Sequence, residues 1–237
     1  MASAVVLGHT GAVGKALLRE LMADARFAKV TVVGRREIEY SGPNADKLVQ
    51  KVVDFENLDA HRPAFAGHSV AFCSLGTTRA DAGSADRFRR IDHDYVVNAA
   101  KLIGEESGKQ AAAGAGVHFL YVSSTGANAS SYMLYPKTKG EIELALKGTP
   151  GLGKVSIFRP ALLEVEGARE GKTRFGENVA HTLLPVFKFF SPQGISCPVG
   201  TVAKAMVSVF ANPHQEPYHI YENRDIYKVV DDNAPAQ

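Results

Sequence analysis

Tyr135 and Lys139 stand four residues apart in Ser-Tyr-Met-Leu-Tyr-Pro-Lys-Thr-Lys-Gly-Glu, a spacing that puts a phenol and an ammonium on one helix face. A phenol with a pKa near 10 is a poor acid or base at neutral pH, and a fixed positive charge beside it stabilises the phenolate and lowers that value. Ser123 and Ser124 come shortly before, at the end of the apolar run Phe-Leu-Tyr-Val. A serine hydroxyl there could hydrogen-bond a substrate oxygen while Tyr135 exchanges a proton with it. Carbonyl/alcohol interconversion is the chemistry this trio could perform. Pro136 suits a first helical turn, where its missing N–H is no loss, so Tyr135 falls at the helix entrance and Lys139 one turn along. Tyr-x-x-x-Lys also arises by chance, with the Tyr only a packed aromatic. A cofactor site elsewhere is what gives the pair meaning.

That site is in the first residues. Val5-Val6-Leu7 leads into Gly8-His9-Thr10-Gly11-Ala12-Val13-Gly14, a strand, a glycine turn and a helix start. In this context Gly8 permits the tight turn, Gly11 a close backbone approach to a pyrophosphate, and Gly14 close helix–strand packing. Phosphates would sit on free N–H groups at the positive end of the helix, making Gly8, Thr10, Gly11, Ala12, Val13 and Gly14 the candidate seat. The spacing is G-x-x-G-x-x-G. About 20 residues further on, an NAD-preferring site places a carboxylate on the ribose 2′-hydroxyl. Arg35 and Arg36 stand there instead, and a guanidinium clamps a 2′-phosphate, so NADP(H) is the expected cofactor. Asp54 and Phe55 could meet the adenine; Leu75, Gly76 and Thr77 could line the ribose and pyrophosphate.

These residues need a scaffold. Strands are expected at Ala4–Leu7, Lys29–Val33, Val49–Val53, Ser69–Leu75, His118–Val122, Lys154–Phe158 and Tyr218–Tyr221. Helices are expected at Val13–Ala23, Asp86–Gly104, Pro136–Leu146 and Val202–Phe210. Alternation of strands apolar on both faces with helices predicts an α/β fold: a Rossmann-type, doubly wound parallel sheet of about seven strands. The 237 residues, 45% hydrophobic, suit a single domain over 1–237, with about 160–237 forming a small C-terminal cap on the substrate side.

Net charge is +2 and 22% of residues are charged, which selects neither nucleic acid nor membrane. The run Arg87-Phe88-Arg89-Arg90, beside Asp86, Asp92 and Asp94, reads as a solvated helix face. Two cysteines make no disulfide framework and suit a reducing compartment. The N-terminus enters a strand at once, which argues against a signal or transit peptide, and no run reaches the ~20 apolar residues of a membrane span. A cytoplasmic protein, monomer or dimer, is expected. The aromatic stretch Phe187-Lys188-Phe189-Phe190 reads as pocket wall or core, with a partner or membrane contact as alternatives. The His, Asp and Glu residues show no metal-ligand spacing, so no metal is implied.

With the glycine turn, Arg35-Arg36, Ser123-Ser124 and Tyr135-x-x-x-Lys139 in order, the chain resembles a short-chain dehydrogenase/reductase. Gly-x-x-Gly-x-x-Gly and Phe158-Arg159-Pro160 resemble its extended and atypical branches. More narrowly, Val-Val-Gly-Arg-Arg, Val-Val-Asp-Phe-Glu, Cys-Ser-Leu-Gly-Thr-Thr-Arg, Asp-His-Asp-Tyr-Val and Lys-Gly-Glu-Ile-Glu resemble the Tat-interacting oxidoreductase group of atypical members. The resemblance runs from about Val5 to about Glu222. It implies bound NADPH, Tyr135 as general acid/base, Lys139 on the nicotinamide ribose, and Ser124 orienting the substrate carbonyl, with Ser123 as the alternative. Pro160 and Leu163 match the stretch that contacts the nicotinamide, and Arg169 or Arg174 an arginine near the cofactor. His9-Thr10 departs from the small pair common at the turn, and His9 must either point away from the phosphates or hydrogen-bond to them. Two functions follow: reduction of a small carbonyl or quinone-like substrate, or an NADPH-binding regulatory or scaffold protein with a protein partner. An epimerase or dehydratase acting on a nucleotide sugar would need a larger C-terminal region.

Overall fold

A computed structural model describes residues 1–108, 116–165 and 195–233. Its central sheet contains β1 (Ala2–Leu7), β2 (Phe27–Gly34), β3 (Leu48–Val52), β4 (Val70–Cys73), β5 (Val117–Val122), β6 (Leu152–Arg159) and β9 (Tyr218–Glu222), in the order β3-β2-β1-β4-β5-β6-β9. Every pairing is parallel. The seven expected strands are all present. The order reverses between β1 and β4, and the crevice outside the carboxyl ends of the strands at such a point is where doubly wound sheets take their ligands.

Side chains alternate across each strand, so each face feeds its own core. Ala4, Val6, Val30, Val32, Phe72 and Leu120 pack under α1 (Ala12–Ala23), α6 (Val199–Ala211) and α7 (Asn223–Asp232). Val5, Leu7, Val33, Ala71, Cys73, Phe119 and Tyr121 pack under α4 (Tyr95–Gly108) and α5 (Leu134–Lys147). Burial on both sides explains why the strands read as continuous apolar runs rather than alternating ones.

Three features differ from expectation. After the short α2 (Arg79–Ala82), the helix expected over Asp86–Gly104 is broken into α3 (Ala85–Arg89), a π-helical turn (Arg90–Asp94) and α4. That turn buries Asp92 completely, although the run around it reads as solvated. The stretch after Phe158 has little periodicity, yet it forms β7 (Leu162–Glu164), which pairs in parallel with β8 (Ser196–Pro198) outside the main sheet. The third is α7, an unexpected helix opened by a reciprocal capping box between Glu222 and Asp225. Among the described residues no helix is long and apolar enough to cross a membrane.

His118, on β5, is buried and paired through Nε2 with Ser156 Oγ at 2.9 Å. Burial, helped by Lys154, pushes its pKa down from 6.5 to about 4. Below about pH 6.5 the unfolded chain takes up a proton that the folded chain refuses. Stability present above that pH is therefore lost as pH falls towards about 4, by up to about 3 kcal/mol. His68, lowered chiefly by burial, acts in the same direction. Thermal melts across this window should show the acid-side loss, and His118→Gln, which keeps a hydrogen-bonding side chain without titrating, should reduce it.

Candidate active site

The glycine turn connects β1 to α1 at the reversal point. Gly8 adopts φ +86°, and a Cβ there would lie 2.6 Å from the Ser74 carbonyl carbon at the end of β4. Gly11 N–H closes the turn on the Gly8 carbonyl at 3.0 Å. A Cβ on Gly14 would meet the Gly8 carbonyl oxygen at 2.1 Å, so the first turn of α1 packs directly on the loop. Gly11 is the N-cap of α1 and supplies no side chain to its N–H groups. An exposed loop backbone leading to an uncapped, electropositive helix end fits a pyrophosphate. Thr10 and Gly11 are exposed there, Ala12 is half-buried, and Val13 is buried in the core.

His9 turns away from that opening. Its ring is buried under the end of β2, where a Cβ on Gly34 would come within 2.5 Å of Cε1. Burial lowers its pKa, the Val33 backbone pulling the other way and Arg36 lowering it further. His9 is therefore a neutral packing residue at neutral pH. Arg35 and Arg36 follow Gly34 and are exposed beside the turn. Asp54 is also exposed, its carboxylate accepting Glu56 N–H at 2.9 Å, while Phe55 is buried against Tyr95 with ring centres 5.1 Å apart. Leu75, Gly76 and Thr77 follow β4, with the Leu75 backbone nitrogen 2.7 Å from where a Cβ on Gly8 would stand and Gly76 exposed.

The two serines at the end of β5 have different environments. Ser123 is buried and donates to Glu143 Oε1 at 2.5 Å. Glu143, one turn beyond Lys139 on α5, is held by Arg159 through Nε at 3.0 Å and Nη2 at 2.6 Å, and Arg159 reaches on to Glu222 at 2.8 Å. This chain of charge-assisted bonds locks α5 to the ends of β5, β6 and β9. Ser124 is half-exposed, and its hydroxyl donates to the Thr125 carbonyl at 3.1 Å.

Tyr135 lies in the first turn of α5, 45% exposed, with its ring 6.0 Å from that of Phe88. One turn along, Lys139 is buried. Its Nζ is 5.8 Å from the Tyr135 ring centre, donates to Tyr121 Oη at 3.0 Å and pairs with Asp92 Oδ1 at 3.2 Å. Burial disfavours the ammonium, but the attraction of Tyr121, Asp92 and Tyr135 outweighs it and raises the Lys139 pKa above the usual lysine range. Burial pushes the Tyr121 phenol up as well, so at neutral pH it is a neutral hydroxyl. Asp92 and Tyr121, both in contact with Lys139, are candidate site residues that the sequence reading missed. Asp92 was hidden in a charged run, and Tyr121 in a strand where an aromatic needs no explanation.

Pro160 is buried, and its carbonyl accepts Thr125 N–H at 3.0 Å. Leu163 is half-buried on β7 opposite Cys197. Arg169, Arg174 and the aromatic stretch 187–190 lie outside the described residues. Contrary to the sequence reading, the fold gathers one group of metal-ligating types among the described residues: His214, Glu216 and His219, with ligand atoms within 4.8 Å of one another. Their geometry is poor for an ion. The two imidazoles stack 3.8 Å apart at 13°, so their in-plane lone pairs do not converge, and His214 Nδ1 already accepts Glu216 N–H at 3.2 Å.

A glycine turn at the reversal point of a seven-stranded parallel sheet, with an uncapped helix behind it, defines a dinucleotide-binding protein of the Rossmann type. The family model for NAD(P)H-binding proteins matches residues 8–147, and the chain belongs to that oxidoreductase-type family. Within it, the chain is a homologue of the protein HTATIP2 of Rattus norvegicus, 38% identical over 231 residues that cover 98% of this chain and 90% of the relative. Among solved structures, a short-chain type dehydrogenase/reductase from Mycobacterium ulcerans superposes with a TM-score of 0.68 at 18% identity, covering 95% of this chain and 90% of that one. The human epimerase family protein SDR39U1, solved with NADPH, superposes with a TM-score of 0.56 at 14% identity, covering 93% and 73%.

Proposed function

We propose that the protein is an NADPH-dependent oxidoreductase that reduces a small carbonyl or quinone-like compound in the cytoplasm, with Tyr135 as proton donor, Lys139 beside it and Ser124 on the substrate oxygen. The observation that carries this reading is the buried Lys139 ammonium held against Tyr135 at the entrance of α5. Gly8, Thr10, Gly11 and the first N–H groups of α1 would hold the pyrophosphate, and Leu75 to Thr77 the ribose. Arg35 and Arg36 would hold the 2′-phosphate, since no carboxylate ends β2 to take a 2′-hydroxyl. When bound, the dihydronicotinamide supplies the hydride. Tyr135 gives its hydroxyl proton to the substrate oxygen, and the fixed charge of Lys139 stabilises the phenolate left behind. Ser124 is favoured over Ser123 as the second donor because the Ser123 hydroxyl is committed to Glu143.

The test is NADPH consumption over a panel of aldehydes, ketones and quinones, with Tyr135→Phe alongside. The Phe variant should lose about 10²- to 10⁴-fold in turnover, the usual worth of a general acid. Equal turnover in the two proteins sinks the role of Tyr135. Tight NADPH binding with no turnover on any substrate favours an NADPH-binding regulatory or scaffold protein. In the same assays Arg35→Ala should weaken NADPH by about 10-fold or more, the worth of a charge-assisted hydrogen bond, and leave NADH nearly unchanged. Equal losses on both cofactors would remove the 2′-phosphate assignment.

A further inference from the structure

Asp92 occupies the π-helical turn Arg90–Asp94, a local distortion found often at functional sites. Its side chain is buried, and its two oxygens face different parts of the site. Oδ2 accepts the backbone N–H of Thr77 at 2.7 Å, and Oδ1 lies 3.2 Å from Lys139 Nζ. Thr77 belongs to the loop that leaves β4 along the cofactor crevice. A Cβ on Gly76 would stand 3.4 Å from Asp92 Oδ1 and 3.6 Å from Lys139 Nζ, so the ion pair lies directly beneath that loop. Burying two charges is costly, and a well-packed apolar pair serves stability as well or better. A carboxylate that grips both the cofactor-side loop and the site lysine therefore calls for a role in the reaction.

We propose that Asp92 is a positioning residue that couples the loop Leu75-Gly76-Thr77 to Lys139, holding the ammonium charged and aimed at Tyr135 while it fixes the backbone against the cofactor. This rests on the reading of Tyr135 as proton donor. The other titratable groups facing Lys139 are Cys73 on β4, Tyr121 on β5 and Tyr135 on its own helix. Burial pushes the Cys73 thiol up to about 12 and the Tyr121 phenol up as well, so both are neutral at pH 7. Among the described residues, the Asp92 carboxylate, 3.2 Å away, is the charge set against the ammonium.

Asp92→Asn keeps an oxygen for Thr77 N–H and loses the charge; Asp92→Ala loses both. If Lys139 stays charged without the carboxylate, the phenol gives up its proton at lower pH. If burial wins, Lys139 itself loses its proton at lower pH. Either way the alkaline limb of kcat for carbonyl reduction moves down, by about one pH unit in the Asn variant. The Asn variant should bind NADPH within about threefold of wild type, and the Ala variant about tenfold more weakly, the loss of one charge-assisted hydrogen bond. An Asn pH profile that superimposes on wild type, or an Ala variant that binds NADPH as wild type does, overturns the proposal. The binding arm, read by fluorescence titration, needs no turnover, and the near-isosteric Asn variant carries the test if the Ala variant does not fold. Tyr135→Phe is run in parallel. If it turns over normally, the proton-donor reading fails; if it is inactive while the Asn profile is unmoved, only the role of Asp92 fails.

Discussion

Lys139→Met is expected to abolish carbonyl reduction, by about 10²- to 10⁴-fold, and to destabilise the protein by about 3–5 kcal/mol at the same time. The two losses have one origin. Methionine matches the length of the lysine stem, so packing under α5 is largely retained, but Asp92 is left as a buried carboxylate without the ammonium 3.2 Å away. Turnover falls because nothing stabilises the phenolate at Tyr135. Adding Asp92→Asn to Lys139→Met should restore much of the stability and none of the turnover, a non-additivity expected of directly paired groups. Urea unfolding and NADPH consumption on the single and double variants separate the two effects. A Lys139→Met protein of wild-type stability would show that the buried pair is not what the geometry implies.

Gly14→Ala should be the most damaging small substitution in the cofactor turn. Its Cβ would sit 2.1 Å from the Gly8 carbonyl oxygen and 2.7 Å from His9 Cα, all backbone atoms, so no side chain can move to make room. Helix α1 must back away from the loop, lowering stability by about 1–3 kcal/mol and moving its N-terminal N–H groups off the phosphate site. The contrast is Gly11→Ala, whose Cβ would meet the Gly8 oxygen at 3.3 Å on the exposed side of the turn. That variant should fold with a near-normal Tm yet bind NADPH at least tenfold more weakly, because the methyl occupies the space a pyrophosphate needs. Tm and cofactor titration on both variants check the pair. Normal NADPH binding by Gly11→Ala would place the pyrophosphate elsewhere.

The cofactor turn was legible because everything that makes it work is local. The glycines are spaced within seven residues, directly after an apolar strand and before a helix, and the folded chain uses Gly8 for the tight turn and Gly14 for the close packing of helix on loop. The strands were legible for the same reason, since burial on both faces leaves continuous runs of Val, Ile, Leu and Phe. The π-helical turn was not, because a one-residue distortion changes which side chains point inward without changing the composition of the run. It converts Asp92 from one charge among several into a fully buried group.

By itself, then, the chain determined the doubly wound parallel sheet, the glycine turn and the Tyr135–Lys139 pair on one helix face, because strand and helix periodicities are short-range properties. Tertiary structure alone decided what Lys139 touches. Asp92 and Tyr121 lie far from it in sequence and reach it only when the π-helical turn and α5 pack against β5 on one face of the sheet. It also separated Ser123 from Ser124: adjacent residues at a strand end face opposite ways, and only the arrival of Glu143 and Arg159 shows which hydroxyl is already taken. Charge pairing and burial depend on distances across the fold, and those distances exist only once the layers have assembled.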